Sequence, residues 1–114
     1  MLYTLNSRIV LAGYPAEELA DYKGTTPEMI AKLAELMRAK LDATWCVAES
    51  GLAGPTGGRS GAAPGRVSVS VAGPVSKVAV IETGIDDREA NMIEFATISL
   101  RMLRDAIVEA PRAG

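Results

Sequence analysis

The chain has 114 residues, of which 48% are hydrophobic and 23% charged, and its formal net charge is −2 at neutral pH. These values indicate one globular domain, residues 1–114, and the slightly acidic balance argues against a nucleic-acid partner. No apolar run approaches the roughly 20 residues of a bilayer-spanning helix, and the first residues lack a signal-peptide pattern, so we expect no membrane partner and a cytoplasmic location.

The sequence contains no histidine and one cysteine, Cys46. Ser-His-Asp and Cys-His catalysis are therefore excluded within this chain, as are histidine or multi-thiolate zinc sites. We expect no metal and no cofactor. Acid–base chemistry must use Lys, Tyr, Ser, a carboxylate or residues of a partner.

The first forty residues predict two helices. Residues 1–5 alternate too little to decide, and we interpret them as a short strand end. A short helix begins at Pro15, and a longer one begins where Thr26 caps and Pro27 occupies the first turn. The longer helix ends near residues 40–42. Its apolar stripe has helical spacing and consists of Met29, Ile30, Leu33, Met37 and Leu41.

Three strands follow. Residues 43–49 are short and apolar, which is typical of a buried strand. Residues 67–71 alternate strictly between Val and Ser, and residues 75–82 follow a Gly73-Pro74 turn, so the two segments predict a hairpin.

The last element is a long helix that Asp86 or Asp87 caps and that runs to about Glu109 before Pro111. Its predicted inner stripe comprises Met92, Phe95, Ser99, Met102 and Ala106, with Ile98 and Leu103 at its margin. Helices around a small sheet predict a layered α/β/α fold. The hairpin means that the sheet cannot be wholly parallel, and we expect a mixed sheet.

The connection at residues 50–66 is the most distinctive segment. It holds six Gly and two Pro and begins with Ser50 at the end of a predicted strand. Small residues leave backbone N–H groups accessible to an anion or a carbonyl oxygen. Arg59 and Arg66 would add positive charge. The alternatives are that the segment is only a long turn and that these arginines are solvated.

The segments resemble the C-terminal domain of competence/damage-inducible protein A (CinA), the nicotinamide-nucleotide amidohydrolase family. The family loop T-G-I-A-G-P-x-G-G corresponds to residues 50–58, and its G-T-V strand start to residues 65–67. The family G-D-R-E segment corresponds to residues 86–89, S-E-E to residues 26–28, and Y-x-N-x-x-K followed by L-G-V-P to residues 3–15.

The resemblance implies hydrolysis of the amide of nicotinamide mononucleotide, with release of ammonia, by a serine nucleophile assisted by Lys and Tyr. Tyr3 then corresponds to the tyrosine, Arg8 to the lysine, and Ser50 to the loop threonine. The catalytic candidates are Tyr3, Arg8 and Ser50. The candidates for binding substrate or phosphate are Ser50, Gly51, Ala53, Gly54, Gly57, Gly58 and Arg88.

Two departures bear on activity. Arg8 stays protonated and cannot act as a base in the way that a lysine with a lowered pKa can. The family's E-S-x-T-G-G segment, which supplies the nucleophile, lies upstream of the tyrosine at which this chain begins. Ser50 and Ser60 are alternative hydroxyls without an identifiable base. We therefore expect weak or no activity from this chain alone, or a longer natural protein of which Met1 is an internal start.

The same resemblance implies a fold without its first helix and first strand, which leaves residues 43–49 as an exposed apolar edge. We hypothesise that residues 1–4 or another chain pairs there, and we expect a homo-oligomer. A non-catalytic module that binds a small nucleotide, or an interaction module, is the alternative to an amidohydrolase.

Overall fold

A computed structural model describes residues 1–58 and 61–111. Arg59 and Ser60, to which the sequence assigned a charge and an alternative hydroxyl, lie outside the described residues. The helices and strands are α1 (Leu5–Val10), a 3₁₀ helix (Ala16–Leu19), α2 (Pro27–Lys40), β1 (Cys46–Gly51), β2 (Arg66–Ala72), β3 (Lys77–Glu82) and α3 (Arg88–Glu109).

The three strands form one sheet in the order β1-β2-β3. Val47 pairs with Val71 across β1 and β2, and Val69 pairs with Ala79 across β2 and β3. The predicted α/β fold class and the predicted hairpin are confirmed. The sheet of the described residues is antiparallel, however, and not mixed, because both strand pairs are formed by consecutive strands that reverse direction, whereas a parallel pair needs a crossover connection.

The middle strand, β2, is buried on both faces. Val67, Val69 and Val71 are almost fully buried, and the first two pack against Phe95 of α3. Side chains alternate along a strand, so Ser68 and Ser70 face the opposite side, where α2 packs. Small serines allow α2 to lie close to the sheet, and the two helices enclose the sheet as the predicted layers.

A second apolar cluster joins α2 to the N-terminal segment. Ile30 and Leu33 pack with Tyr14 and Leu19, and all four are buried. The predicted stripe of α2 is thus confirmed at its centre. At its end the prediction was wrong, since Leu41 is 67% exposed. It caps the helix after the last turn and no longer follows the helical phase.

The N-terminal strand prediction was also wrong. Residues 1–3 have no regular structure, and Thr4 caps α1 by accepting a 3.0 Å hydrogen bond from the backbone N–H of Ser7. A side-chain cap of this kind starts a helix, which the weak alternation of these residues did not reveal. Residues 1–4 therefore do not pair with β1, and β2 is the only strand paired with β1 among the described residues.

The prediction that the first strand, β1, lies at the edge of the sheet is confirmed with shifted bounds. The strand begins at Cys46 and extends through Ser50 to Gly51. The added residues pair with Ser68 and Val67, which extends the ladder beyond the apolar run.

In α3, the predicted inner residue Met92 is 56% exposed, and Asn91, four residues before Phe95, is buried in its place.

We expect Asp87→Ala to destabilise the fold by about 1 kcal/mol, because the Asp87 side chain accepts the backbone N–H of Ala90 at 2.9 Å and caps α3. Urea unfolding followed by circular dichroism measures this. Asp86→Ala is the matched control, since the adjacent carboxylate makes no cap bond among the described residues. An equal loss in both variants would contradict the assignment of the cap.

Candidate functional site

An open cleft of 960 Å³ lies where the N-terminal segment and the start of α2 meet the end of β1 and the glycine-rich loop. From the N-terminal side, Tyr3, Arg8 and Tyr22 line it. From the sheet and loop side, the lining residues include Ser50, Gly51, Gly57 and Gly58.

The glycine-rich loop is held largely by its own backbone. The N–H of Gly65 donates to the carbonyl of Leu52 at 2.7 Å, and the N–H of Gly58 donates to that of Ala62 at 2.9 Å. These amides are therefore not available to an anion. Gly57, which lines the cleft, has no backbone acceptor for its N–H among the described residues.

Gly54 has a structural requirement for glycine. Its φ is +93°, a region that L side chains rarely adopt, and an added Cβ would lie 2.8 Å from the carbonyl oxygen of Asp86. The loop thus runs in close contact with the segment that leads into α3.

Two side chains of the first turn of α3 fix this contact. Arg88 Nη1 donates to the carbonyl of Gly54 at 3.2 Å. Asn91 is fully buried, and its Nδ2 donates to the carbonyls of Ala53 at 2.9 Å and Ile85 at 2.7 Å. Thr83 Oγ1 donates to Asn91 Oδ1 at 2.6 Å. Together they fasten the loop to the helix.

Arg8 is only 6% exposed, although it carries a permanent charge. Its Nε donates to the carbonyl of Leu2 and its Nη1 to Thr25 Oγ1, both at 3.1 Å. The guanidinium carbon lies 5.9 Å from the centre of the Tyr22 ring, and the Tyr22 hydroxyl bonds Thr25 Oγ1 at 2.8 Å. The guanidinium is therefore held in a fixed position at the cleft.

The hydroxyl candidates are less organised. Ser50 lies in β1 at the cleft, and its side chain makes no hydrogen bond with any described residue. Tyr3 is 80% exposed. Near them on β1, partial burial raises the pKa of the Glu49 carboxyl. Burial also raises the pKa of the Cys46 thiol, with a smaller contribution from the Glu35 carboxylate, so this thiol is a weak nucleophile.

The family model described as the CinA C-terminal domain matches residues 1–107. The chain belongs to the CinA C-terminal domain family. A CinA-like protein of Prochlorococcus marinus is 28% identical over 105 residues, which are 92% of this chain and 24% of that protein.

Solved structures agree on the fold. The competence damage-inducible protein A (ComA) of Klebsiella pneumoniae superposes with a TM-score of 0.84 at 19% identity, covering 95% of this chain and 67% of that one. A CinA superfamily protein of Escherichia coli gives a TM-score of 0.80 at 21% identity, with coverage of 90% and 59%. This chain therefore spans about a quarter of the curated relative and between about three fifths and two thirds of the solved chains.

In this CinA C-terminal domain, the cleft brings together six of the nine predicted site residues: Tyr3, Arg8, Ser50, Gly51, Gly57 and Gly58. The other three, Ala53, Gly54 and Arg88, are not among its lining residues. Instead, Arg88 and Asn91 bind the carbonyls of Gly54 and Ala53. Arg88 thus supports the loop from the side of α3, and a direct contact with a ligand in the cleft stays a prediction.

Sequence reasoning missed Asn91, Thr25 and Tyr22. Asn91 carried a signal, since it lies four residues before Phe95 in an otherwise apolar helix stripe. Thr25 and Tyr22 carried none, because only the fold of the N-terminal segment brings them to Arg8.

None of the helices in the described part of the chain combines the length and apolarity needed to cross a membrane. No group of three or more His, Cys, Asp or Glu side chains within residues 1–58 and 61–111 is arranged to hold a metal ion.

We expect Asn91→Ala to destabilise this CinA domain by about 2 kcal/mol, because it removes a fully buried side chain together with its hydrogen bonds to the carbonyls of Ala53 and Ile85. Amide exchange at Gly65 should accelerate as the loop loosens. Thr97→Ala is the matched control, because its hydroxyl bonds only the carbonyl of Ile93 in the same helix. If the control has the same effect on Gly65, the loop attachment is not carried by Asn91.

Proposed function

We propose that this CinA C-terminal domain binds a nicotinamide-mononucleotide-like ligand in its cleft and has little or no amidohydrolase activity alone. The observation that supports this proposal is the convergence of Arg8, Ser50 and the glycine-rich loop on one cleft. These are the positions that resemble the substrate-handling residues of the amidohydrolases.

The dimensions and lining of the cleft fit such a ligand. Its 960 Å³ is within the range of small-molecule sites, which extends to about 1,000 Å³. Tyr3 and Tyr22 offer aromatic surface for a ring, and Gly57 and Gly58 allow close approach of a ligand to the backbone. Arg8 supplies a fixed positive charge.

Hydrolysis needs a hydroxyl with a base, and the described residues of the cleft do not supply that pair. The Ser50 hydroxyl has no hydrogen bond to a described base, and the guanidinium of Arg8 offers only hydrogen-bond donors and no acceptor for a proton. Two carboxylates line the cleft, Asp21 and Glu18, and Glu18 is bound to Lys32 at 2.8 Å. Binding without turnover is the function that these residues support best.

We expect calorimetric titration with nicotinamide mononucleotide to show binding and an ammonia assay to remain at the level of the blank. Ser50→Leu should weaken binding at least tenfold, because the larger side chain occupies the cleft. Ser76→Leu is the matched control, since this exposed residue lies in the β2–β3 turn at the opposite end of the sheet. Absence of binding by the unmodified chain would refute the proposal, and ammonia release would refute its non-catalytic part.

A second candidate function, self-association, is favoured by a separate observation. The β1 edge is unpaired within the described residues. An unpaired apolar edge is a template for another strand. We propose that the partner is a second copy of this chain, with β1 antiparallel to β1 of that copy.

The outer surface of α3 supports this arrangement. Lys77 of β3 bonds Glu109, so that flank of α3 faces β3. At 3.6 residues per turn, the exposed Ile93, Leu100 and Ile107 project together from the opposite side of α3. Ile93 and Ile107 are each seven residues from Leu100. A two-fold axis at Leu100 would therefore place Ile93 of one copy against Ile107 of the other.

We expect light scattering after size exclusion to give twice the mass of the chain, and Leu100→Glu to shift the population to monomer. A charge in the centre of a symmetric apolar contact is introduced twice per dimer and is costly to bury. Arg101→Glu is the control, because the neighbouring exposed residue projects from a different side of α3. A monomeric parent chain would exclude this candidate.

A further inference from the structure

We propose that Arg8 is the anion-binding residue of the cleft and that it recognises the phosphate monoester of the ligand. This inference rests on the proposed function, in that it assigns one end of the proposed ligand to one side chain. It replaces the catalytic position expected for Arg8 with a binding role.

The first support is an uncompensated charge. Arg8 is nine-tenths buried, and no described carboxylate lies within salt-bridge distance of it. Its described hydrogen-bond partners, the Leu2 carbonyl and the Thr25 hydroxyl, are neutral. A buried cation is stable only when a counter-charge or a full set of acceptors accompanies it. An anion in the cleft would supply the counter-charge.

The second support is the accessibility of an unused donor. Every described side-chain nitrogen or oxygen that is sealed from solvent has a hydrogen-bond partner. Nη2 of Arg8 has no described partner, so it is not sealed from solvent, and Arg8 lines the cleft. Nε and Nη1 are meanwhile fixed at 3.1 Å from their acceptors. The guanidinium group of Arg8 is thus held in a fixed orientation before a ligand binds.

The surroundings favour an anion at the same place. Thr25, which accepts from Arg8, precedes Thr26, the N-cap of the 14-residue helix α2. The positive end of the dipole of α2 is therefore directed to this end of the cleft. Lys23 and Arg66 also line the cleft, together with the carboxylates Asp21 and Glu18, of which Glu18 is paired with Lys32. The oxygens of a phosphate match the N–H groups of a guanidinium in pairs, which makes arginine a suitable phosphate ligand.

The decisive experiment compares nicotinamide mononucleotide with nicotinamide riboside, which lacks the phosphate, by calorimetry. We expect the unmodified chain to bind the nucleotide at least about tenfold more tightly, as a charge-assisted hydrogen bond predicts. In Arg8→Gln the two ligands should bind equally. Arg104→Gln, which alters an exposed arginine paired with Asp105 on α3, should keep the full preference.

The outcomes separate this inference from the proposed function. Equal binding of nucleotide and nucleoside by the unmodified chain overturns the role of Arg8 and leaves the proposed function intact. If neither binds, the proposed function fails. In that case, inorganic phosphate at constant ionic strength tests the anion-binding role of Arg8 separately. It should raise the melting temperature of the unmodified chain but not that of Arg8→Gln.

Should Arg8→Gln fail to fold, Arg8→Lys takes its place. This variant keeps the positive charge but lacks the paired N–H donors of the guanidinium, so the preference for the nucleotide should fall several-fold without disappearing. An unchanged preference in a folded Arg8→Lys or Arg8→Gln variant would overturn the inference.

Discussion

The burial of β2 on both faces is the constraint on which the rest of the structure depends. Its valines provide one apolar surface for α3, and its serines provide a thin, polar surface against which α2 can approach. Since β2 is also the middle strand, β1 and β3 are positioned by it through backbone hydrogen bonds. The end of β1 and the start of β2 in turn define the two stems of the glycine-rich loop. The floor of the cleft is therefore set by the packing of a single strand.

The sequence predicted the elements whose signals are local. The cap at Thr26, the strict alternation around Val69 and the acidic start of α3 each arise within a few residues, and the structure contains all three elements. The sequence-based predictions failed where contacts with other parts of the chain determine the structure of a segment. The end of β1 depends on pairing with Val67 and Ser68 of β2. The first residues form α1, and few apolar residues at helical spacing surround its cap at Thr4.

The site was predictable in its parts and not in their arrangement. The glycine-rich loop is visible in the sequence because its composition is unusual, and Arg8 is identified by its correspondence to the family lysine. Their meeting in one cleft depends on how residues 11–26 fold over α2, and no periodicity in that segment encodes it. For Arg88, the resemblance implies a contact with the ligand, which stays a prediction, and the structure shows its contact with the carbonyl of Gly54.

The attachment made by Asn91 has a mechanical consequence. One amide group in α3 is hydrogen-bonded to both the loop after β1 and the segment after β3, so the helix is directly attached to the loop whose other residues line the cleft. Any event that shifts or stiffens α3, such as contact through its outer flank, would alter the energy of closing the rim of the cleft around a guest molecule. Linkage then requires the reverse effect of equal size, so occupancy of the cleft would tune the strength of that contact.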